Sequence, residues 1–384
     1  MDTSELIEII SRDEDSKHQF KANIHNADQI ASEMVAFCNS GGGNIYIGVN
    51  NDGSISGLSR EEVGRINQLI SNAANNNMNP PINPITENVA LNNGIVMIVT
   101  ILDGISKPYM DKIGAIWVKS GADKRRITSR EEMQHMFQAS GIIHADETLA
   151  NGMTVSDVDL EYFASFIERV FEEKLDEQKK PLSVLLENMN LAKDGILNIA
   201  GALLFSKTPQ YRLPTFVAKG ICYEDDNIHV DRYIESIEAN GKIADVFQNC
   251  LSFIMRNIPK VQNEQNINSI GQPVIPKIVF EELLANAFIH RDYFISASVR
   301  ILIFSNRIEI ISPGHLPNNL TVQNIVNGNS NIRNPILASF ATRILPYRGL
   351  GNGIRRALEA YSNIEFIDDR EGNMFKAIIG IVPG

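Results

Sequence analysis

The sequence predicts a mixed α/β protein of the α+β kind in three regions: a mixed-sheet region over 1–140, a helical connector over 141–271, and a layered α/β region over 272–384. Three observations predict it. Helical and strand periods alternate up to about residue 140, the next stretch is dominated by amphipathic helices, and the last third returns to helix, paired strands and a glycine corner. A length of 384 residues accommodates two or three such domains.

The elements follow in order. Ala27 to Ser40 carries an apolar stripe at helical spacing (Ile30, Met34, Val35, Phe37, Cys38), and Gly41-Gly42-Gly43 ends it. Asn44 to Val49 predicts a strand, and Ser54 to Leu58 a second one beyond the Asn51-Asp52-Gly53 turn. Ser59 to Ala74 predicts a helix that an Asn- and Pro-rich loop stops. Ile85 to Ala90 and Gly94 to Leu102 predict a hairpin, and Ala115 to Lys119 a further strand. Ser129 with Glu132 forms a capping box for a helix reaching about Ala139. Residues 141–155 are expected to be a linker. Helices are expected over Ser156 to Lys174, Pro181 to Asn188, Asn198 to Phe205 and Ile237 to Ile258, with a strand at Thr215 to Tyr223. The last region predicts a helix over 278–290, strands over 297–304 and 307–311, and an irregular segment over 312–334. It closes with helices over 335–342 and 354–361 and further strands to the end.

Composition narrows the function. The net charge is -11, yet residues 271–384 hold 11 bases against 9 acids, and those bases are nearly all Arg. Arg suits bidentate contact with phosphate, so a polyanionic ligand fits this third. The acidic total argues against a protein that coats nucleic acid without selectivity. Cys38, Cys222 and Cys250 lie far apart, as neither a disulfide framework nor a zinc site. No segment has the apolar length of a membrane span, and the acidic N-terminus lacks the charge of a secretory signal, so a cytoplasmic protein is expected.

The stretch Phe280 to Tyr293 is the most informative. Glu282, Asn286 and His290 are four apart, so a helix puts them on one face. The Asn286 amide oxygen could ligate Mg²⁺, which takes oxygen ligands, and the Glu282 carboxylate could polarise a water. The same spacing also fits a half-exposed helix with polar residues on its wet side. Two further elements accompany it. Ser312-Pro-Gly314-His-Leu-Pro317 is a turn after a strand, and Gly349-Leu-Gly351-Asn-Gly353 precedes a helix, where exposed backbone N–H groups cradle phosphates. Between them, Asn324 to Pro335 is polar and carries Arg333, as a mobile lid would. No P-loop motif occurs, and Ile354 stands where a dinucleotide fingerprint needs its third glycine.

This order of elements resembles the GHKL-type ATP-binding fold, an α/β sandwich. More closely it resembles the branch at the C-terminus of RecG-like transcriptional regulators, whose motifs stand here as Glu281–Tyr293, Arg307–Pro317, Arg333–Pro335 and Gly349–Arg355. The resemblance implies ATP and Mg as ligands, with Asn286 at the Mg²⁺ and Glu282 as the catalytic base. It places Gly314, Gly349, Gly351 and Gly353 along the phosphates, with Arg333 in the same site. The wider superfamily reads the adenine amino group with an Asp in the motif occupied here by 312–317, and this chain has none there.

The N-terminal region shows Glu14-Asp-Ser-Lys-His-Gln-Phe-Lys21, Ala36 to Gly43 and Ile45 to Gly53. These resemble the Schlafen/AlbA-2 domain over roughly residues 5–140, which implies nucleic-acid binding, DNA being the expected partner. Lys17 and Lys21 form one basic spot. Lys119, Lys124, Arg125 and Arg126 form a second, with Trp117 and Tyr109 near enough in sequence to stack on bases. Solvated charges on a strand edge would give the same pattern. Nuclease relatives need acids at three positions. Here Glu14 supplies the first, but Gln19 and Asn51 replace the others, with Asp52 next in line.

The apolar run Gly195 to Pro209 resembles the connector of the same regulators and is expected to serve as scaffold and homo-oligomer contact. Many relatives add a winged helix after the last strand; this sequence stops at Gly384, so sequence-specific recognition of a duplex is not expected. The function expected is that of a DNA-binding transcriptional regulator whose C-terminal domain binds ATP and Mg as a conformational switch. The alternatives are an active GHKL-type ATPase, or a Schlafen-like nuclease, which the two neutral replacements disfavour.

Overall fold

The computed structural model describes residues 2–228, 232–261, 271–317 and 320–381. It divides into two compact units, Met1–Ile142 and Ile143–Gly384.

In the first unit a four-stranded sheet runs in the order His18–Lys21, Gly43–Ile47, Gly94–Ile101, Ile85–Leu91. The first pair is parallel and the others antiparallel. The helix Ala27–Asn39 starts at an Asn26 cap and is buried from Ile30 to Cys38. Nine consecutive buried residues exceed what one stripe gives, so this helix is the centre of its unit. Ser59 caps the helix Arg60–Asn76 in a reciprocal box with Glu62. Gly41 and Gly42 adopt the left-handed φ (87° and 74°) that the turn after the central helix requires.

One element is new here and one expectation fails. Residues Thr3–Ile10 form a helix that buries Leu6 and Ile10, where the sequence reading saw only the lack of a signal. The strand expected over Ser54 to Leu58 reduces to single bridges, Val49 to Ile55 and Leu58 to Ile95. Gly53 and Gly57, at φ 77° and 66°, turn the backbone away from the extended path.

The second unit holds a six-stranded sheet ordered Glu235–Ala239, Ala218–Cys222, Val299–Ile303, Arg307–Pro313, Met374–Gly380, Ile364–Asp369. Only Ala218–Cys222 with Val299–Ile303 is a parallel pair. The middle region, expected as a helical connector, thus lends two strands to the sheet of the last region. Both share one hydrophobic core. The expected helix over Ile237 to Ile258 splits into the strand Glu235–Ala239 and the helix Ile243–Asn257. Gly241 at φ 106° makes the break. The expected linker over 141–155 is also structured. Leu149–Thr154 pairs with Ile196–Asn198, and buried Asp146 accepts the Leu337 amide at 2.9 Å near the start of helix Pro335–Ile344. A short helix Val322–Val326, capped by Thr321, interrupts the segment expected to be irregular. No helix among the described residues is long and apolar enough to cross a membrane.

Candidate functional site

The helix Lys277–Ile289 carries buried apolar residues all the way round, from Val279 and Phe280 to Phe288 and Ile289. Such a helix is interior, not half-exposed. The reading with Glu282 on a wet surface therefore fails: Glu282 is 2 % exposed. A carboxylate there needs a partner. It is Arg356, on the helix Gly353–Ala360, whose Nη2 lies 2.6 Å from Oε1. Burial pushes the Glu282 carboxyl above its ordinary value, and the Arg356 guanidinium, with Arg348 behind it, pulls it back only in part.

Gly353 lets the two helices meet. A Cβ at that position would lie 2.6 Å from Glu282 Oε2 and 3.3 Å from Asn286 Nδ2. Asn286 Nδ2 is buried and has no hydrogen-bond partner. Gly349 and Gly351 turn the chain into this contact with φ of 68° and 74°. The corner also touches the segment expected to act as a lid, since a Cβ on Gly351 would stand 2.6 Å from the Gly328 carbonyl oxygen.

A cleft opens between these parts. Glu282, Asn286, Gly314, Arg333, Gly349, Gly351 and Gly353 all line it, so the structure gathers in one place all the C-terminal site residues singled out from the sequence. Their roles differ. Arg333 is nearly buried and directs Nη2 at the His315 carbonyl (2.7 Å) and Nη1 at that of His290 (3.3 Å), leaving Nε unpaired. Next to it, Asn334 Nδ2 donates to the Ile289 and Arg291 carbonyls, both at 2.8 Å. The Arg333-Asn334 pair thereby ties down the end of the Glu282 helix, and Arg333 anchors the end of the segment that leads up to it. Gly314, at φ 96°, is required because a Cβ would meet Arg333 Nη1 and Asp292 Cβ at 2.6 Å. His290 ends the Glu282 helix with Nε2 3.3 Å from the Tyr347 hydroxyl, and burial, then Arg333, hold it down to about 4.

Away from the glycines the cleft is apolar, with Ile310, Leu316, Ile325, Ile354, Phe366 and Phe375 in its wall. A planar base suits such a wall. Among the described residues no free carboxylate serves it: Asp368 accepts the Leu316 amide at 2.7 Å and the Arg370 guanidinium at 2.9 Å. The Ser312 hydroxyl donates to the Ala287 carbonyl. The glycine end has the chemistry that a phosphate-bearing ligand would need. It has the unpartnered Asn286 Nδ2 donor, the glycines Gly349, Gly351 and Gly353, and three arginines, Arg333, Arg348 and Arg356. No group of three His, Cys, Asp or Glu side chains among the described residues could hold a metal alone. Mg²⁺ there would depend on Asn286, phosphate oxygens and water, which is its habit.

Arg356 is the residue the sequence reading missed, since the motif was closed at Arg355. The signal lay in the spacing: Arg356 is three residues beyond Gly353, hence on the same helix face, whereas Arg355 faces solvent beside Glu359.

In the first unit the basic residues are mostly engaged. Lys17 Nζ donates to the Gly41 and Gly42 carbonyls. Lys119 donates to Gln19 Oε1 at 2.7 Å and to the Ala122 carbonyl, over the Phe37 ring. Lys124 contacts Ser32 Oγ at 2.6 Å and Glu33 at 3.0 Å, over the Trp117 ring. Arg125 forks onto Glu132. The side chains of Lys21 and Arg126 hold no ion pair or hydrogen bond among the described residues. Gln19 bridges Lys119 to Glu14, donating to Glu14 Oε1 at 2.9 Å. Asp52 sits apart in an exposed turn, bound to Ser54.

Comparison with known families agrees with both halves. A Schlafen AlbA_2 family model matches residues 14–128. The model described as "Putative ATP-dependent DNA helicase recG C-terminal" matches residues 296–371, which take in Gly314, Arg333 and the glycine corner, while Glu282 and Asn286 precede them. Comparison with curated proteins gives no match. Two solved structures are similar. One is the DIP2311 protein from Corynebacterium diphtheriae, 18 % identical, covering 96 % of this chain and 76 % of that one at a TM-score of 0.48. The other is the N-terminal domain of a "Putative ATP-dependent DNA Helicase RecG-related Protein" from Nitrosomonas europaea, 16 % identical, covering 34 % of this chain and 96 % of that one at a TM-score of 0.24. The chain joins a Schlafen AlbA_2 domain at its N-terminal end to a RecG-type HATPase domain at its C-terminal end.

Proposed function

We propose that this chain is a cytoplasmic, homo-oligomeric DNA-binding regulator whose C-terminal cleft binds ATP with Mg²⁺ and uses occupancy as a conformational switch. The observation that carries the reading is the meeting of the Glu282 helix with the glycine corners, where Asn286 keeps a buried amide without a partner. Such a group costs free energy unless something else satisfies it. Asn286, with the backbone of Gly349 to Gly353, binds and orients the triphosphate, and the apolar wall takes the base. Mg²⁺, when bound, neutralises phosphate charge. Nucleotide binding shifts the equilibrium between two arrangements of the 320–334 segment, to the extent that it favours one of them.

Two enzyme readings compete. Hydrolysis would use Glu282 as the base, and the buried carboxylate favours that reading. Cleavage of nucleic acid would need carboxylates gathered around a cation. Against it, Gln19 is a neutral link between Glu14 and Lys119, and Asp52 is engaged elsewhere. Isothermal titration of MgATP into the full chain tests the favoured reading. Binding that is lost or strongly weakened in Asn286→Ala supports it; a wild-type chain that takes up no nucleotide overturns it. ATP turnover in wild type and Glu282→Ala separates a switch from an ATPase.

A further inference from the structure

Arg356 is held by Glu282 but is not used up by it. The guanidinium meets one carboxylate oxygen through Nη2 at 2.6 Å, and its Nε is buried with no partner at all. A guanidinium presents five donors in a fixed fork, so donors remain for a second anion. Its surroundings favour one. Arg356 and Arg348 line the cleft beside the glycine corners, and the Arg356 side chain keeps 24 % of its exposure while Glu282 keeps 2 %. The carboxylate is thus shut in: Arg356 covers Oε1, and the Gly353 backbone lies against Oε2. The shutting element is the first turn of the Gly353–Ala360 helix, which follows two left-handed glycines, Gly349 and Gly351. A displacement at those glycines would move Arg356 relative to Glu282 without disturbing the core helix that carries the carboxylate.

We propose that Arg356 is a phosphate-binding residue held in reserve: Glu282 occupies it in the empty cleft, and the anionic end of a nucleoside triphosphate takes it over on binding. The inference rests on the nucleotide reading of the cleft and adds its gate. Taking up the ligand means giving up the Arg356–Glu282 pair. Part of the binding energy therefore goes into opening that pair, and Glu282 is uncovered only when ligand is present.

The test is a double-mutant cycle on affinity with the full chain, read by isothermal titration with Mg²⁺ and a non-hydrolysable ATP analogue, so turnover plays no part. E282Q should bind the analogue about fivefold or more tighter than wild type, because the arginine is no longer engaged. R356A should bind at least tenfold weaker, and E282Q should bring no gain in the R356A background. A purely structural pair predicts the reverse for E282Q, since loosening the site weakens binding. Wild-type binding with no tightening in E282Q, or unchanged affinity in R356A, overturns the gate alone. No binding by wild type overturns the nucleotide reading and the gate with it. R356A leaves a buried carboxylate unpaired and could unfold, but the double variant removes both charges and E282Q by itself already decides the sign.

Discussion

In the first unit Lys17, Lys119, Lys124 and Arg125 each end on a partner within the unit. In the second, Asn286 Nδ2, Arg333 Nε and Arg356 Nε are buried around one cleft with no partner. Both regions show polar residues in motifs, yet they use them differently. Charge in the first unit mostly holds the fold together, as with Lys124 packed between Glu33 and the Trp117 ring. Polar capacity in the second is left facing a cavity. Three uncommitted buried donors gathered around one cleft are a better sign of a ligand than a lone one such as Gln138 Nε2 in the first unit, because a folded chain otherwise satisfies such groups. A count of basic residues is a weaker sign, since an internal carbonyl or carboxylate can absorb each one.

The sharpest way to break this contrast is Lys124→Ala. It strands Glu33 in the interior, and removing one partner of a largely buried pair costs about 3 kcal/mol. Chemical denaturation of the first unit should show that loss; an unchanged midpoint would mean Lys124 is free for ligand after all. Asn286→Ala should leave stability nearly untouched and weaken MgATP about 30-fold, a change of about 2 kcal/mol.

A third effect comes from two buried titrating groups of the second unit. Burial pushes Asp146 up to about 6, so the folded state keeps a proton that the unfolded state releases above its ordinary 3.8. Stability from Asp146 is full below that value and is lost as pH rises through 6. His290, held down to about 4 from an ordinary 6.5, behaves oppositely. Its contribution is full above 6.5 and is lost as pH falls toward 4. Between pH 4 and 6 the two slopes offset each other. Asp146→Asn should therefore lose stability on acidification relative to wild type, and His290→Gln should lose it on going from pH 4 to 6, each by about 1–2 kcal/mol. Parallel thermal-melt profiles for all three proteins would refute the assignment. The smallest effect belongs to Lys21→Ala and Arg126→Ala. Neither should move stability by more than about 0.5 kcal/mol. Each should reduce the salt dependence of DNA binding by about one unit of slope, measured by fluorescence anisotropy.

Much of this molecule was legible locally. Ser129 with Glu132 marks a helix start because a cap needs only its own turn. The glycine corner was legible for the same reason: three glycines ahead of a helix say what the backbone must do. What was hidden depended on distant partners. Residues Ala218–Cys222 are an ordinary short strand until they lie beside Val299–Ile303. Glu282 and Asn286 read equally well as a wet face until the surrounding core covers the helix. Arg356 carries no mark of its own, and its meaning comes from a carboxylate 74 positions earlier. The engagement of Lys119 with Gln19 is likewise invisible in one dimension.

The parallel pairing of Ala218–Cys222 with Val299–Ile303 has a practical consequence. A fragment begun near residue 272 would present Val299–Ile303 as a bare edge and would lack the Asp146 carboxylate that receives the Leu337 amide. It should stick to itself through that edge. A cut at 142/143 severs neither attachment. Workers who want the cleft in isolation should express 143–384.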